Sequence, residues 1–529
     1  MNKFIALFFM IISYPFICFS DISWFFPPTT ISSSGVNATD PRVVMDGSGN
    51  ATAAWVENGV IKASSQPVAG SWGAINTLSG ASGASLPKLG VDSSGNVTAL
   101  WLENGVVNSA TLPFGGSWSA ATAISSTGSS SPQLSVDATG NAVAVWVRGG
   151  FIESSTKLSG GSWGAAAAIS TGGSDDFPSV SIGAGGTVVA VWHGVSSGSD
   201  VIVSAKKTSV SGSWGTPLNL FSGTAAFKHN YPIVAVDSSG NATTLWYRYN
   251  LSGAAYSNVI VLASILTSSG SAWSIPNQIN QGGGLRNPAG FITRIGYDAN
   301  GDILALWGNS YDGALFAIET ASISPGGTWS VGGNLALQNV YAYQGDFSIN
   351  GSGNGAVSAY MYYDGSSIII QSNETTLGGL IPSAWTMPLN LSQGADNAFP
   401  RVASTLSGST IHAVAVWLNN NGTNSVLQAV RGSRTVIAPP TNLSVTQNSH
   451  NLTVFTEYYN TLSWTASTDP SVVGYVIYRN GTVISNVNAS TTQFIDRNAP
   501  QAGTVAGTYG VAARNSEFAQ SQTVTVNFP

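Results

Sequence analysis

The chain has 529 residues, room for two or more domains and a large core. Charged residues make up 8% of it, far below the roughly 25% of ordinary domains, with Gly, Ser, Thr and Asn in their place. A net charge of −6 spread over this length, with no basic stripe, excludes the usual nucleic-acid binders.

Residues 4–19 are an apolar run behind Lys3, interrupted by Pro15 and followed by Ser20. They read as a secretory signal, residues 1–20, cut before Asp21. The run is short for a spanning helix. Cys18 is the single cysteine, so the processed chain has none. An exported protein without disulfides depends on its core, which suits bacterial export to the periplasm, the outer surface or the medium. No later run is apolar enough to span a bilayer, so a monomer without membrane insertion is expected.

From residue 22 on the chain repeats. Trp55, Trp101, Trp146, Trp192, Trp246, Trp307 and Trp417 recur, with Tyr360 in the remaining slot. A second series comprises Trp72, Trp118, Trp163, Trp214, Trp273, Trp329 and Trp385. Each unit reads as four strands: Pro132 to Asp137, Ala142 to Val147, Phe151 to Ser155, and a last one from Trp163 to Ser170. Four short strands per repeat predict β-propeller blades, with sheets covered on both faces. In Val91-Asp-Ser-Ser-Gly-Asn-Val-Thr-Ala-Leu-Trp101, Asp92 caps the turn and Gly95 supplies a positive φ. Ala99 lets the next sheet approach, and Trp101 fills the space between blades and needs a partner for its N–H. Asp298-Ala-Asn-Gly-Asp302 comes nearest to a calcium loop but lacks its longer ligand series, so no metal is expected.

The eighth unit lacks a Ser-Trp strand, while the N-terminus has a spare one, Ser23-Trp24, followed by Ile31-Ser32 and Asp40-Pro41. The same order runs through Ser117-Trp118, Ile124-Ser125 and Ser131-Pro132. Residues 22–32 are therefore expected to complete the last blade and hide its edge. The reading is all-β, an eight-bladed propeller over residues 21–437, with seven blades as the alternative because the Tyr360 unit is degenerate. The Asp-x-x-Gly-Asn-Ala-x-Ala-x-Trp repeat resembles that of bacterial secreted propellers and, more loosely, the sialidase Asp-box propellers. In the sialidase box the Trp follows the Asp closely, whereas Trp101 is far from Asp92, so the resemblance implies architecture and no active site.

After Ala438-Pro-Pro440, residues 438–529 resemble a fibronectin type III domain. Pro440 to Val445, Leu462-Ser-Trp464, Gly474 to Gly481 and Gly507-Thr-Tyr509 look like its strands, core Trp and core Tyr. A long first connection, residues 447–460, departs from the pattern. The resemblance implies a spacer or accessory binding module.

Positions that repeat serve the scaffold; positions that vary at equivalent places are free for a ligand. Four residues before each turn stand Arg42, Lys88, Gln133, Ser179, Ile233, Arg294, Asp346 and Arg401. Two residues after the strand aromatic stand Glu57, Glu103, Arg148, Gly194, Arg248, Asn309, Tyr362 and Asn419. Loops add Asp175, Asp176, His229, Asn230 and Asp396, with Tyr247, Tyr249, Tyr311, Tyr343 and Tyr363. A polar rim of this kind occurs on any propeller. A concave site with convergent Arg and carboxylates, walled by aromatics, instead suits acidic or neutral glycans. The ligand-binding candidates are Arg42, Lys88, Arg294, Arg401, Asp346, Glu57, Glu103, Arg148 and Tyr362. His193, His229, Tyr247 and Arg248, placed on adjacent loops, are the weaker candidates for acid–base work. No cofactor motif is present. The expected function is a secreted scaffold binding glycan or protein through one loop face. A polysaccharide hydrolase or lyase on that face and an adhesion protein without a sugar site are the alternatives.

Overall fold

The repeated turn builds the repeated sheet. Asp92 Oδ1 accepts hydrogen bonds from the Ser94 and Asn96 backbone amides at 2.9 and 2.8 Å, and Oδ2 accepts from Asn96 Nδ2 at 2.8 Å. Gly95 turns the chain at φ 85°. Asn96 Oδ1 then accepts the Phe114 amide at 3.0 Å, tying the start of the second strand to the end of the third. Asp46, Asp137 and Asp237 make the same set of bonds with Asn50, Asn141 and Asn241. These aspartates thus cap turns, as their sequence position predicts. Asp298 is likewise committed to the amides of Asn300 and Asp302.

The computed structural model describes residues 22–80, 82–222, 227–252, 255–280, 294–310, 316–330, 333–335, 341–350, 355–375, 385–394, 396–497, 507–516, 520–521 and 523–528. The expected signal and Tyr311 fall outside them. The described residues contain no helix, and none is therefore long and apolar enough to cross a membrane. Residues 22–433 form one unit, and residues 434–529 belong to a second.

In the first unit the described residues form eight antiparallel sheets in a propeller-like arrangement, six of them with all strands in chain order. The first begins with Ala38–Met45, the second with Ala84–Val91, the third with Ser129–Val136 and the fourth with Asp176–Ile182. The fifth begins with Lys228–Val236, the sixth with Arg294–Tyr297, the seventh with Tyr341–Ile349 and the eighth with Asn397–Ser407. Each of these opening strands packs beside the opening strand of the next sheet, and that of the eighth packs beside that of the first. Ser23–Trp24 and Thr29–Thr30 pair with Ser425–Thr435 in the eighth sheet. Ser32 Oγ accepts the Leu427 amide as Ser125 Oγ accepts that of Val107.

Second strands are buried on both faces; Ala51–Glu57 has no exposed position. Small residues there let neighbouring sheets approach, and the indoles fill what remains. Trp55, Trp101, Trp146, Trp246, Trp307 and Trp417 are all fully buried. The second tryptophan series is partly buried and caps the same clusters: Trp118 lies against Ala54, Ile61 and Trp101, joining the first two sheets.

The second unit holds a three-stranded sheet (Thr441–Leu452, Phe455–Thr465, Gln493–Asp496) and a four-stranded one (Val472–Arg479, Thr482–Asn488, Gly507–Asn515, Val524–Phe528). They share a core of Leu462, Trp464, Tyr475, Ile477, Tyr509 and Val511. One expectation is corrected. Residues 447–460 are not a loose connection but the paired continuation of two strands, in register up to Leu452↔Phe455. A two-residue turn at Thr453 and Val454 lets the hydrogen-bond ladder run on instead of ending.

Candidate functional site

The opening strands share a second local device. Asp40, Leu86, Ser131, Phe177, Tyr231 and Phe399 each precede a proline and each take φ between 48° and 55°. Each sits at a register shift, the mark of a β-bulge. Left-handed backbone at non-glycine residues is uncommon and costs about 1–3 kcal/mol. Bulges of this kind re-aim the side chains just beyond them.

Just beyond these bulges, and at the matching register in the sixth and seventh sheets, stands the first variable series. Arg42, Lys88, Gln133, Ser179, Ile233, Arg294, Asp346 and Arg401 pair with Ala54, Leu100, Val145, Val191, Leu245, Leu306, Ala359 and Val416. Each partner directly precedes the strand aromatic, so all eight occupy one register position. Four of them are cations that act on one another. Burial, then Arg294, lowers the proton affinity of Arg42, against Asp40 and Asp346. Burial, then Arg42, Arg294 and Arg401, holds Lys88 well below the usual lysine range. Arg401, 7% exposed, is pulled down to about 9 by burial, then by Arg42 and Arg294. Arg42 and Lys88 are half-buried. Arg294 Nε donates to Asp346 Oδ1 at 2.7 Å, and Asp346 Oδ2 accepts the Val402 amide at 3.3 Å. Arg42 and Arg401 each donate Nη1 to the carbonyl of the preceding proline at 2.7 Å.

The second variable series has another use. Trp55 Nε1 donates to Glu57 Oε1 at 2.7 Å, and the same oxygen accepts the Ser33 amide at 2.8 Å. Trp101 Nε1 donates to Glu103 Oε2 at 3.1 Å. In the third sheet Trp146 donates to Glu153 at 3.0 Å, and Arg148 pairs with that carboxylate at 2.9 Å. In the sixth, Trp307 donates to Glu319 at 2.8 Å. Glu57 and Glu103, expected to bind ligand, accept hydrogen bonds from buried indoles, and Arg148 is bound to another such acceptor. Their physical reason is the buried N–H, which needs a partner. Asn419 bonds Asn397. Tyr362 packs against the Leu306, Ile318 and Tyr360 cluster. Glu153 and Glu319 do carry a signal in the sequence: each is an acid in the third strand, directly opposite the tryptophan.

The acid–base candidates lie in paired strands and not on loops, because the strands of the fourth and fifth sheets run longer than those before them. His193 Nδ1 lies 2.6 Å from Asp176 Oδ1, and Nε2 lies 3.5 Å from Asp200 Oδ1. Burial draws its pKa down, but Asp176 and Asp200 outweigh it and raise the value. His229 is fully buried, accepts the Trp246 indole N–H at 3.1 Å and is pushed down to about 4 by burial, then by Arg248. Tyr247 is core, packed with Leu245, Val261 and Trp307. The Arg248 guanidinium lies 4.7 Å over the Phe227 ring. Burial also raises the Asp175 pKa. Asn230 Nδ2 donates to Tyr249 Oη at 2.8 Å. Asp396 and Tyr363 are exposed, and the side chains of Asn309 and Tyr343 fall outside the described set.

The bulges themselves carry residues outside both series. The Phe177 and Tyr231 rings are 4.5 Å apart, Phe399 is 40% exposed, and Asp40 acts on the cations. A separate cleft of about 440 Å³ lies between the first two sheets, lined by Asp46, Asn50, Pro67, Phe114 and Trp118. It is at the capped turns, not the bulges, and the Asp46 carboxylate is held by its turn.

Fold and site together define an all-β, propeller-like protein with a cluster of mutually interacting cations on its opening strands. No protein-family model matches the chain, and no curated protein sequence matches it. Among solved structures, it is similar to a Hadza microbial sialidase at 12% identity and TM-score 0.33, covering 64% of this chain and 73% of that one. Similarity to the polysaccharide lyase Uly1 is at 9% identity and TM-score 0.39, over 65% of this chain and 88% of that one. A prolyl endopeptidase is similar at 10% identity and TM-score 0.39, over 72% of this chain and 54% of that one. Values this low carry neither activity nor substrate from one chain to another.

Proposed function

We propose that the eight sheets are blades of one β-propeller, closed where residues 22–32 complete the eighth, and followed by a fibronectin type III module. In this reading the chain is exported after loss of residues 1–20. It acts as a secreted or surface-bound, non-catalytic scaffold that recognises glycan at the bulge face. The observation that carries the reading is the placement of Arg42, Lys88, Arg294 and Arg401 at one register position, with Phe399 exposed at the bulge just before Arg401. Cations with few carboxylates favour acidic groups, and exposed aromatic faces suit pyranose rings.

A hydrolase or lyase on the same face is the second reading, favoured by the 2.6 Å His193–Asp176 contact. Against it, His193 is 8% exposed and His229 is fully buried, so neither is placed to reach a polymer. A polysaccharide panel scored for both retention and cleavage decides. Retention without new reducing ends or unsaturated sugars is the expected result. Turnover selects the enzyme, and retention that free sugar cannot compete selects a protein-binding adhesin.

A further inference from the structure

The cation cluster has fewer carboxylates than cations: Asp40 and Asp346 stand against Arg42, Lys88, Arg294 and Arg401. Arg294 has Asp346 as its own partner. Lys88 has no ion-pair partner among the described residues, and Asp40 alone opposes the repulsion it meets from Arg42, Arg294 and Arg401. Arg401 is buried, its Nη1 is held by the Pro400 carbonyl, and its Nε has no partner among the described residues. Arg42 is held the same way by Pro41. An unpaired charge is costly where it is buried, as at Arg401, and like charges at the half-buried Arg42 and Lys88 add to that. Arg42, Lys88, Arg294 and Arg401 hold one register position, and the opening strand of Arg42 packs against those of both Lys88 and Arg401; Asp40 and Asp346 are the carboxylates that act on these cations. The bulges that aim them turn at Asp40, Leu86 and Phe399, a device these strands share with other sheets.

We infer that Arg42, Lys88 and Arg401 enclose a binding site for a single oxyanion group, the carboxylate or sulfate of an acidic sugar. The delivery of that group by a glycan rests on the reading above; the anion site itself does not. Guanidinium forks match the paired oxygens of either group, and Lys88 adds a point charge. An occupant offsets the repulsion and restores the affinity of Lys88 for its proton.

The test uses the full chain and inorganic sulfate as the probe. Sulfate is titrated at low millimolar concentration against chloride of equal ionic strength, with Tm as the readout. Molar sulfate stabilises any protein by exclusion, so the comparison is with Lys88→Met under identical conditions. Wild type is expected to show a saturating rise in Tm. Lys88→Met is expected to have a higher Tm in chloride, since a repelled cation is gone, and at least about tenfold weaker sulfate affinity. Arg42→Gln is the second variant and is expected to weaken sulfate in the same way. An equal sulfate response in wild type and both variants, or none in wild type, overturns the site. Retention on a polyuronate, a sulfated glycan and a neutral glucan then identifies the source. Loss by Lys88→Met on the first column assigns the carboxylate, and loss on the second assigns the sulfate. A sulfate response without retention of any glycan sinks the glycan reading and leaves the anion site standing.

Discussion

Glu57 shows how a residue's chemistry is decided by its neighbour. An acid two places after a tryptophan can project to a ligand or turn back to the indole, and at Glu57 it turns back. Glu57→Leu leaves the Trp55 N–H and the Ser33 N–H without their acceptor and is expected to cost about 2 kcal/mol. Glu57→Gln keeps an acceptor and should stay near wild type; urea denaturation of both variants checks this. His229 offers a pH-dependent test. Its folded pKa, about 4, lies below the ordinary histidine value of 6.5. The unfolded chain therefore takes up a proton that the native chain refuses. Stability is expected to fall by about 3 kcal/mol as pH drops from about 6.5 to about 4, and to level off below. His193 works in the opposite sense: its raised folded value gives stability that is complete below the unfolded pKa and lost as pH rises through the folded one. Denaturation midpoints at pH 7 and pH 4.5 should differ less in His229→Gln than in wild type, while the Trp246 N–H keeps an acceptor.

At the scale of strands and sheets, the N-terminal segment matters most. Ser23–Trp24 and Thr29–Thr30 cover Ser425–Thr435, which would otherwise present an open ladder edge. Trp24 is 8% exposed, and it lies on Gly432, where an added Cβ would stand 3.0 Å from the indole. Trp24→Ala is expected to lose about 3 kcal/mol. Gly432→Val, which leaves the indole but crowds both Ile22 and Trp24, is expected to destabilise the same pairing. A variant without residues 22–32 should aggregate on heating at a lower temperature, measured by light scattering. Unchanged aggregation would remove the edge-covering role.

For the whole molecule, two units with separate cores predict two events. Residues 22–433 and 434–529 divide the contacts between them, and Trp464 and Tyr509 belong to a core of their own. Calorimetry of the full chain should resolve two transitions, and a fragment of residues 434–529 should reproduce one of them. A single transition in the full chain, with an unfolded fragment, would contradict this.

Much of the architecture was written in the order of residues. Asp92, Gly95 and Trp101 recur because a short-range rule, a turn capped by its own side chain, acts alike in every unit. The spare Ser23-Trp24 strand was legible for the same reason, as was the shared position of Arg42, Lys88, Arg294 and Arg401. Which polar groups remain free was not legible. Whether Glu57 meets a ligand or an indole, whether His229 lies on a rim or inside, and whether Lys88 has an ion pair depend on groups brought together by packing. Those groups lie far apart along the chain, so burial and partnership follow from how strands and sheets pack against one another, and that only the tertiary structure supplies.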